Sequence, residues 1–216
     1  MNPRRFLSSL VPLAIGLAAT AACAQTVPRV APQATRIDAA QLAQAAVAAG
    51  DNKASAFAVI DKVRARVSVY DRNGKLMGTS PVLLGLARGD DSVPGIGERK
   101  MADIRPEERT TPAGRFNSEP GRNLQGEDIV WVDYDAAISM HRVRTANKAD
   151  RRLQRLATPT VADNRISYGC INVPASFYDR YVKPALGDTQ GVVYVLPETV
   201  AASQRFRFLA DAKATP

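Results

Sequence analysis

The chain has 216 residues, 45% of them hydrophobic and 23% charged, which excludes a collagen-like fibre, a wholly disordered polymer and a multi-span membrane protein. With two cysteines and a single histidine, neither a disulfide-dense scaffold nor a zinc site built mainly from Cys and His is available. The formal charge of +8 suits an anionic partner.

Residues 1–24 read as an export signal. Arg4 and Arg5 supply the positive start, and Leu10 to Ala19 form an apolar run too short to span a bilayer. Ala22-Cys23-Ala24 fits an A-x-A site, with cleavage after Ala24. The protein is therefore expected in the periplasm or cell wall, with no membrane attachment beyond the signal. Lipidation of Cys23, a twin-arginine route and an uncleaved anchor are the rival readings, but Thr20 stands where a lipobox places an aliphatic residue, and Phe6 directly after the arginines makes poor twin-arginine spacing. Cleavage leaves Cys170 as the only thiol in an oxidising compartment, so it is either buried and inert or kept for its reactivity.

Residues 25–55 are a leader with an alanine-rich helix over 37–50, capped by Asp38 and ended by Gly50, whose packing the sequence leaves open. From Ala56 the pattern becomes β. Phe57–Asp61 and Arg66–Asp71 read as strands, Asn73-Gly74 as a hairpin turn, and Leu76–Leu84 as a third strand stopping at Gly85. Residues 86–110 are charged and glycine-bearing and predict a long loop. Two strands follow, Ile129–Tyr134 and Ala137–Met140, joined by a tight turn at Asp135-Ala136. Helices are predicted over 147–156, capped by Asn147, and over 174–186, with Pro174 in the first turn. Gly191–Leu196 is a final strand, and 198–216 a C-terminal tail. The fold class is mostly β with a few helices, in one domain over 56–197.

Chemistry concentrates at two residues. Cys170 sits in Ile166-Ser167-Tyr168-Gly169-Cys170-Ile171-Asn172, where the glycine removes a side chain beside the sulfur and allows an unusual backbone turn. His141, the sole imidazole, ends an apolar strand. A cysteine in an apolar stretch is ordinarily a small core residue, and a lone histidine ordinarily a satisfied one. Together they make the simplest activated nucleophile, a thiol whose proton the imidazole takes to leave a thiolate.

The segment His141, then Ser167-Tyr168-Gly169-Cys170-Ile171-Asn172, resembles the signature of the L,D-transpeptidase catalytic domain, the cysteine enzymes that cross-link bacterial peptidoglycan. In the same order, residues 66–75 resemble the family's opening hairpin, Val82–Gly85 its strand ending in glycine, and Thr111-Pro112-Ala113-Gly114-Arg115-Phe116 its T-P-x-G-x-F turn. Two positions depart from the pattern: Tyr168 stands where the family often has a second histidine, and Arg142 where it usually has Gly or Ser. The 142–165 stretch is also longer than the family norm and basic.

The resemblance implies an L,D-transpeptidase-like β-sandwich. It also implies a thioester on Cys170 formed from an L-residue of a stem peptide, with His141 as base and no cofactor or metal. Backbone amides near Gly169 and Cys170, with Tyr168, would hold the oxyanion, Ser167 and Arg142 would complete the substrate site, and Asn172 would either position substrate or brace the loop. Stem peptides would serve as donor and acceptor, and a carbapenem would acylate Cys170. Attack by water instead of an amine gives an L,D-carboxypeptidase, and a non-catalytic peptidoglycan-binding module keeping the fold is the remaining reading. Trp131 and Tyr134 either wall a groove or pack on the sheet. A nucleic-acid partner finds little support in an exported chain without interleaved aromatic and basic residues. Which L–D bond of the stem is the donor stays open.

Overall fold

A computed structural model describes residues 36–211. The export signal, its cleavage after Ala24, Cys23 and most of the leader fall outside the described residues. Among the described residues no helix is long and apolar enough to cross a membrane.

The protein is mostly β. The first helix, α1 (Ala39–Ala48), starts where expected: the Asp38 carboxylate accepts from Gln41 N and the Gln41 side chain accepts from Asp38 N, both at 2.8 Å. Three strands then form an antiparallel meander, β1 (Phe57–Asp61), β2 (Arg66–Tyr70) and β3 (Leu76–Pro81). The third is shorter than its sequence run. Leu84–Gly85 leaves the meander as β4 and pairs in parallel with β8 (Arg165–Ser167), so the strand ending in glycine abuts the cysteine motif.

The 86–110 segment is a loop of three 3₁₀ turns, Ile96–Glu98, Met101–Asp103 and Pro106–Glu108. Glu108 pins it: Arg99 and Arg105 both donate to its carboxylate and hold it down at about 2.

The long strand β5 (Gly114–Arg122) joins two halves of one sheet. Its first five residues pair with β10 (Gly191–Leu196), and its last four with β6 (Asp128–Asp133). Next come β7 (Ile138–Arg142) and, in parallel with it, β9 (Ile171–Val173), giving the order β3-β2-β1-β10-β5-β6-β7-β9. The halves face one another. Ala58, Ile60, Val67 and Val193 from one side share a single buried cluster with Val130, Met140, Ile171 and Val173 from the other, which is a β-sandwich core.

The helices depart from expectation in detail. Residues 147–156 do not form one helix. A 3₁₀ turn over Lys148–Asp150 ends at Arg151, which adopts φ +51, and α2 runs Arg152–Ala157. In the 174–186 region, α3 (Ala175–Phe177) passes into a wider π-type helix, Tyr178–Gly187, that contains Pro184. Proline has no N–H for the α pattern, and the wider winding accommodates it. Tyr178, Val182 and Leu186 of this helix fill the sandwich core.

A second cluster covers the opposite face of the β1/β2/β10 half. There Leu42, Ala43 and Ala46 of α1 pack with Phe57, Tyr70, Tyr194 and Phe206. Beyond Leu196 the chain is not a loose tail as far as residue 211. Phe206 is buried, and α4 (Arg207–Asp211) follows it. Burial of the six apolar side chains Leu42, Phe57, Tyr70, Val192, Tyr194 and Phe206 contributes on the order of 10 kcal/mol by area bookkeeping, an upper bound that explains why both flanks of the domain stay docked.

Candidate active site

Strand alternation builds the site. In β7, Ile138 and Met140 point into the core, so Ser139 and His141 point out of it. In β9, Ile171 and Val173 point inward, so Asn172, and Cys170 just before it, face the other way. Because β7 and β9 are parallel with His141 opposite Asn172, Ser139 comes level with Cys170. Four polar side chains therefore share one face, where they line an open cavity of about 370 Å³. Met101 of the 3₁₀ loop and Arg144, Asn147, Asp150 and Arg152 of the basic stretch wall its other sides.

His141 is held by its own strand end, with Nδ1 2.7 Å from the carbonyl oxygen of Arg142. A carbonyl only accepts, so Nδ1 carries the hydrogen and Nε2 is the basic nitrogen. Cys170 is half-buried. Burial raises the pKa of its thiol, but hydrogen bonding and the charge of His141, with contributions from Ser139, outweigh this and hold it below its ordinary value. Ser139 Oγ lies 3.7 Å from Cys170 Sγ, and the sulfur lies at the same distance from Ala137 O.

The cysteine loop is closed by hydroxyl groups. Ser167 Oγ donates to Cys170 O at 2.7 Å and accepts from Gly169 N at 3.1 Å. Gly169 has φ +130, and a Cβ there would lie 2.5 Å from Ile138 Cδ1 and 2.8 Å from Thr110 O. Gly169→Ala should therefore lower stability by about 1–3 kcal/mol from backbone strain alone, with the two close contacts adding to it. Thermal unfolding of the variant checks this, and an unchanged midpoint contradicts it.

Asn172 is fully buried behind the sulfur. Its Nδ2 donates to Cys170 O at 3.2 Å, and its Oδ1 accepts from Arg152 Nη1 at 2.8 Å. Arg152 is itself tied to Asp150. Tyr168 lines the cavity with the Arg109 guanidinium stacked 3.9 Å from its ring centre.

Two expectations need correction. The Arg142 side chain is not in the cavity. The alternation that exposes His141 turns Arg142 the other way, where its guanidinium pairs with Asp128 and Asp179 and lies 4.3 Å from the Tyr178 ring centre. Arg142 contributes its carbonyl to the site and not its charge. The Gly169 N–H is also unavailable to an oxyanion, since Ser167 Oγ already accepts it. Trp131 and Tyr134 pack against each other at a tilt, ring centres 5.0 Å apart, outside the cavity lining.

Sequence reasoning missed Ser139, Arg152 and Thr111. Ser139 was readable from its place two residues before His141 in an alternating strand. Arg152 and Thr111 reach the site by contacts across 20 and 58 positions, which no local pattern reveals.

Neither a protein-family model nor a curated protein sequence matches the chain. Similar solved structures include the L,D-transpeptidase LdtMt1 in complex with imipenem, with 17% identity over 66% of this chain and 59% of that one, at a TM-score of 0.36. An L,D-transpeptidase from Mycobacterium smegmatis has 15% identity over 65% and 58%, TM-score 0.37. The helical cell shape determining protein Pgp2 from Campylobacter jejuni has 16% identity over 68% and 49%, TM-score 0.43. The chain thus spans between about half and three-fifths of the length of these structures.

Proposed function

We propose that the protein is a cysteine acyltransferase of the cell wall, an L,D-transpeptidase that forms peptidoglycan cross-links through a thioester on Cys170. The observation that carries this reading is the shared face of β7 and β9, which brings the described thiol and the one imidazole into a single open cavity. The imidazole is fixed in the tautomer a general base requires. The motif around Cys170 and the order of the flanking segments add the substrate class.

In the first half-reaction, His141 Nε2 takes the thiol proton and sulfur attacks the carbonyl of an L-residue followed by a D-residue. The resulting oxyanion is held by a backbone N–H of the cysteine loop. Collapse breaks the peptide bond, the D-residue leaves with the proton from His141, and the acyl group stays on sulfur. A neighbouring stem's amine then attacks the thioester, gives its proton to His141 and releases Cys170.

The test is incubation of the purified protein with disaccharide-peptide monomers, with products identified by mass spectrometry. Dimers linked at an L-residue, with release of the D-residue, are expected. Release of the D-residue with shortened monomers alone, even with acceptor amine in excess, assigns the site to an L,D-carboxypeptidase. Binding to sacculi without any acylation of Cys170 overturns both.

A further inference from the structure

We propose that Thr111 is a positioning residue that turns the peptide between Gly169 and Cys170 so that the Cys170 N–H faces the cavity as the oxyanion donor. The inference rests on the reading of Cys170 as an acyl acceptor. Thr111 opens the T-P-x-G-x-F turn, and the reaction as described gives that turn no role.

Three of the four backbone groups of Gly169 and Cys170 beside the sulfur are already paired. Gly169 N is taken by Ser167 Oγ, and Cys170 O by Ser167 Oγ and Asn172 Nδ2. Gly169 O accepts from Thr111 Oγ1 at 2.8 Å. Among the described residues, the Cys170 N–H alone of these four groups has no hydrogen-bond partner. Across a trans peptide the C=O and N–H point in opposite directions, and no cis bond occurs in the described residues. Thr111 is fully buried, so its hydroxyl draws the Gly169 carbonyl inward. The Cys170 N–H on the same plane is thereby turned outward, to the side on which Cys170 lines the cavity.

Thr111 is itself immobilised. Its hydroxyl accepts from Gly85 N at 2.9 Å, its carbonyl accepts from the buried Lys62 ammonium at 2.9 Å, and Gly85 leaves no space for a Cβ beside Thr111 N and Arg109 O. Both hydrogen-bonding capacities of the hydroxyl are used, which fixes its rotor. The left-handed φ at Gly169 is the matching requirement on the other side of the contact.

Two reactions at the same sulfur separate this role from a general structural one. With p-nitrophenyl acetate, the Cys170 thiolate bonds to the ester carbonyl carbon and the carbonyl electrons move onto the oxygen facing the Cys170 N–H. Their return breaks the C–O bond, p-nitrophenolate leaves with the electron pair, and the thiol proton rests on His141. With iodoacetamide, sulfur displaces iodide and no oxyanion forms.

Thr111→Val should slow Cys170-dependent phenolate release about 10- to 100-fold, since losing one oxyanion donor costs on the order of 10²–10³ and here the donor is misdirected and not removed. Iodoacetamide alkylation, referred to the folded fraction, should change less than about twofold, because thiolate formation is untouched. Thr111→Ser, which keeps the hydroxyl, should restore acylation. Should Thr111→Val not fold, Thr111→Ala removes the same hydroxyl without adding a methyl beside Gly85 N and is read identically. Equal acylation in the valine variant, a parallel fall in both reactions, or a serine variant as slow as valine overturns the inference alone. A wild type that iodoacetamide labels but that releases no Cys170-dependent phenolate overturns the acyltransferase reading, and the inference with it.

Discussion

Replacing Cys170 with Ala should abolish acyl transfer while leaving the protein folded. Serine at the same position should do nearly the same, because a single imidazole does not ionise a hydroxyl as it does a thiol. Removing a nucleophile that works as a unit with its base costs at least about 10³-fold in comparable hydrolases. The fold should tolerate the change. The sulfur is half-buried and, besides its pairing with His141, makes weak contacts of 3.7 Å with Ser139 and Ala137, so Cys170→Ala should fall within about 1 kcal/mol of wild type. Mass spectrometry of products, beside a thermal unfolding curve, checks both halves. Cross-linking retained by the alanine variant would refute the assignment of the nucleophile, and an unfolded variant would mean that the thiol is a packing residue.

The second large effect lies under the site. Lys62 is completely buried, its ammonium 2.7 Å from Asp90 and 3.8 Å from Glu198. Asp90 also accepts from the backbone N–H groups of Glu198, Thr199 and Val200 and from the Thr199 hydroxyl, which fastens the segment after β10 to the start of the long loop. Asp90→Ala removes the nearest counter-charge of a buried cation, leaving it only Glu198 at 3.8 Å, and the acceptor of three N–H groups, and breaking such a pair costs about 3–5 kcal/mol. For a domain of this size that corresponds to a fall in Tm on the order of 10 °C.

The pH dependence has a definite sign. Burial raises the Asp90 pKa, but hydrogen bonds from Lys62, Thr199 and the backbone outweigh it and hold the carboxyl well below the usual carboxylate range. The folded pKa is depressed, so the stabilisation is fully present above the ordinary carboxylate value of about 3.9 and is lost as pH falls below it. Wild type should therefore lose stability steeply on acidification, and Asp90→Ala should show a flatter acid limb in urea titrations at several pH values. Equal midpoints for the two proteins at neutral pH would contradict the account.

What the sequence disclosed follows from which interactions are local. The Asp38 cap, the meander of β1 to β3 and the hairpin of β6 and β7 depend on neighbours in the chain, and their residues announce them. Alternation in Ile138-Ser139-Met140-His141 even decides which side chains reach the cavity. β5 stayed hidden because Gly114, Pro120 and Gly121 read as turn residues, and its inward positions include Ser118 where an apolar residue would have marked it. Arg142 looked like a site residue because its neighbour is His141. Its partners Asp128 and Asp179 lie 14 and 37 positions away and were invisible until the fold joined them. The 147–156 helix was readable as an apolar periodicity, but the left-handed turn at Arg151 that breaks it was not.

The pH dependence of Cys170 alkylation bears on the central claim most directly. In wild type the rate should rise with an inflection below the free-thiol value of about 8.5, because His141 holds the sulfur's pKa down. In His141→Ala that inflection should move upward, since Ser139 alone would then oppose the effect of burial. Identical profiles for the two proteins would mean that the imidazole does not serve the thiol, and this pair of residues would no longer be a catalytic centre.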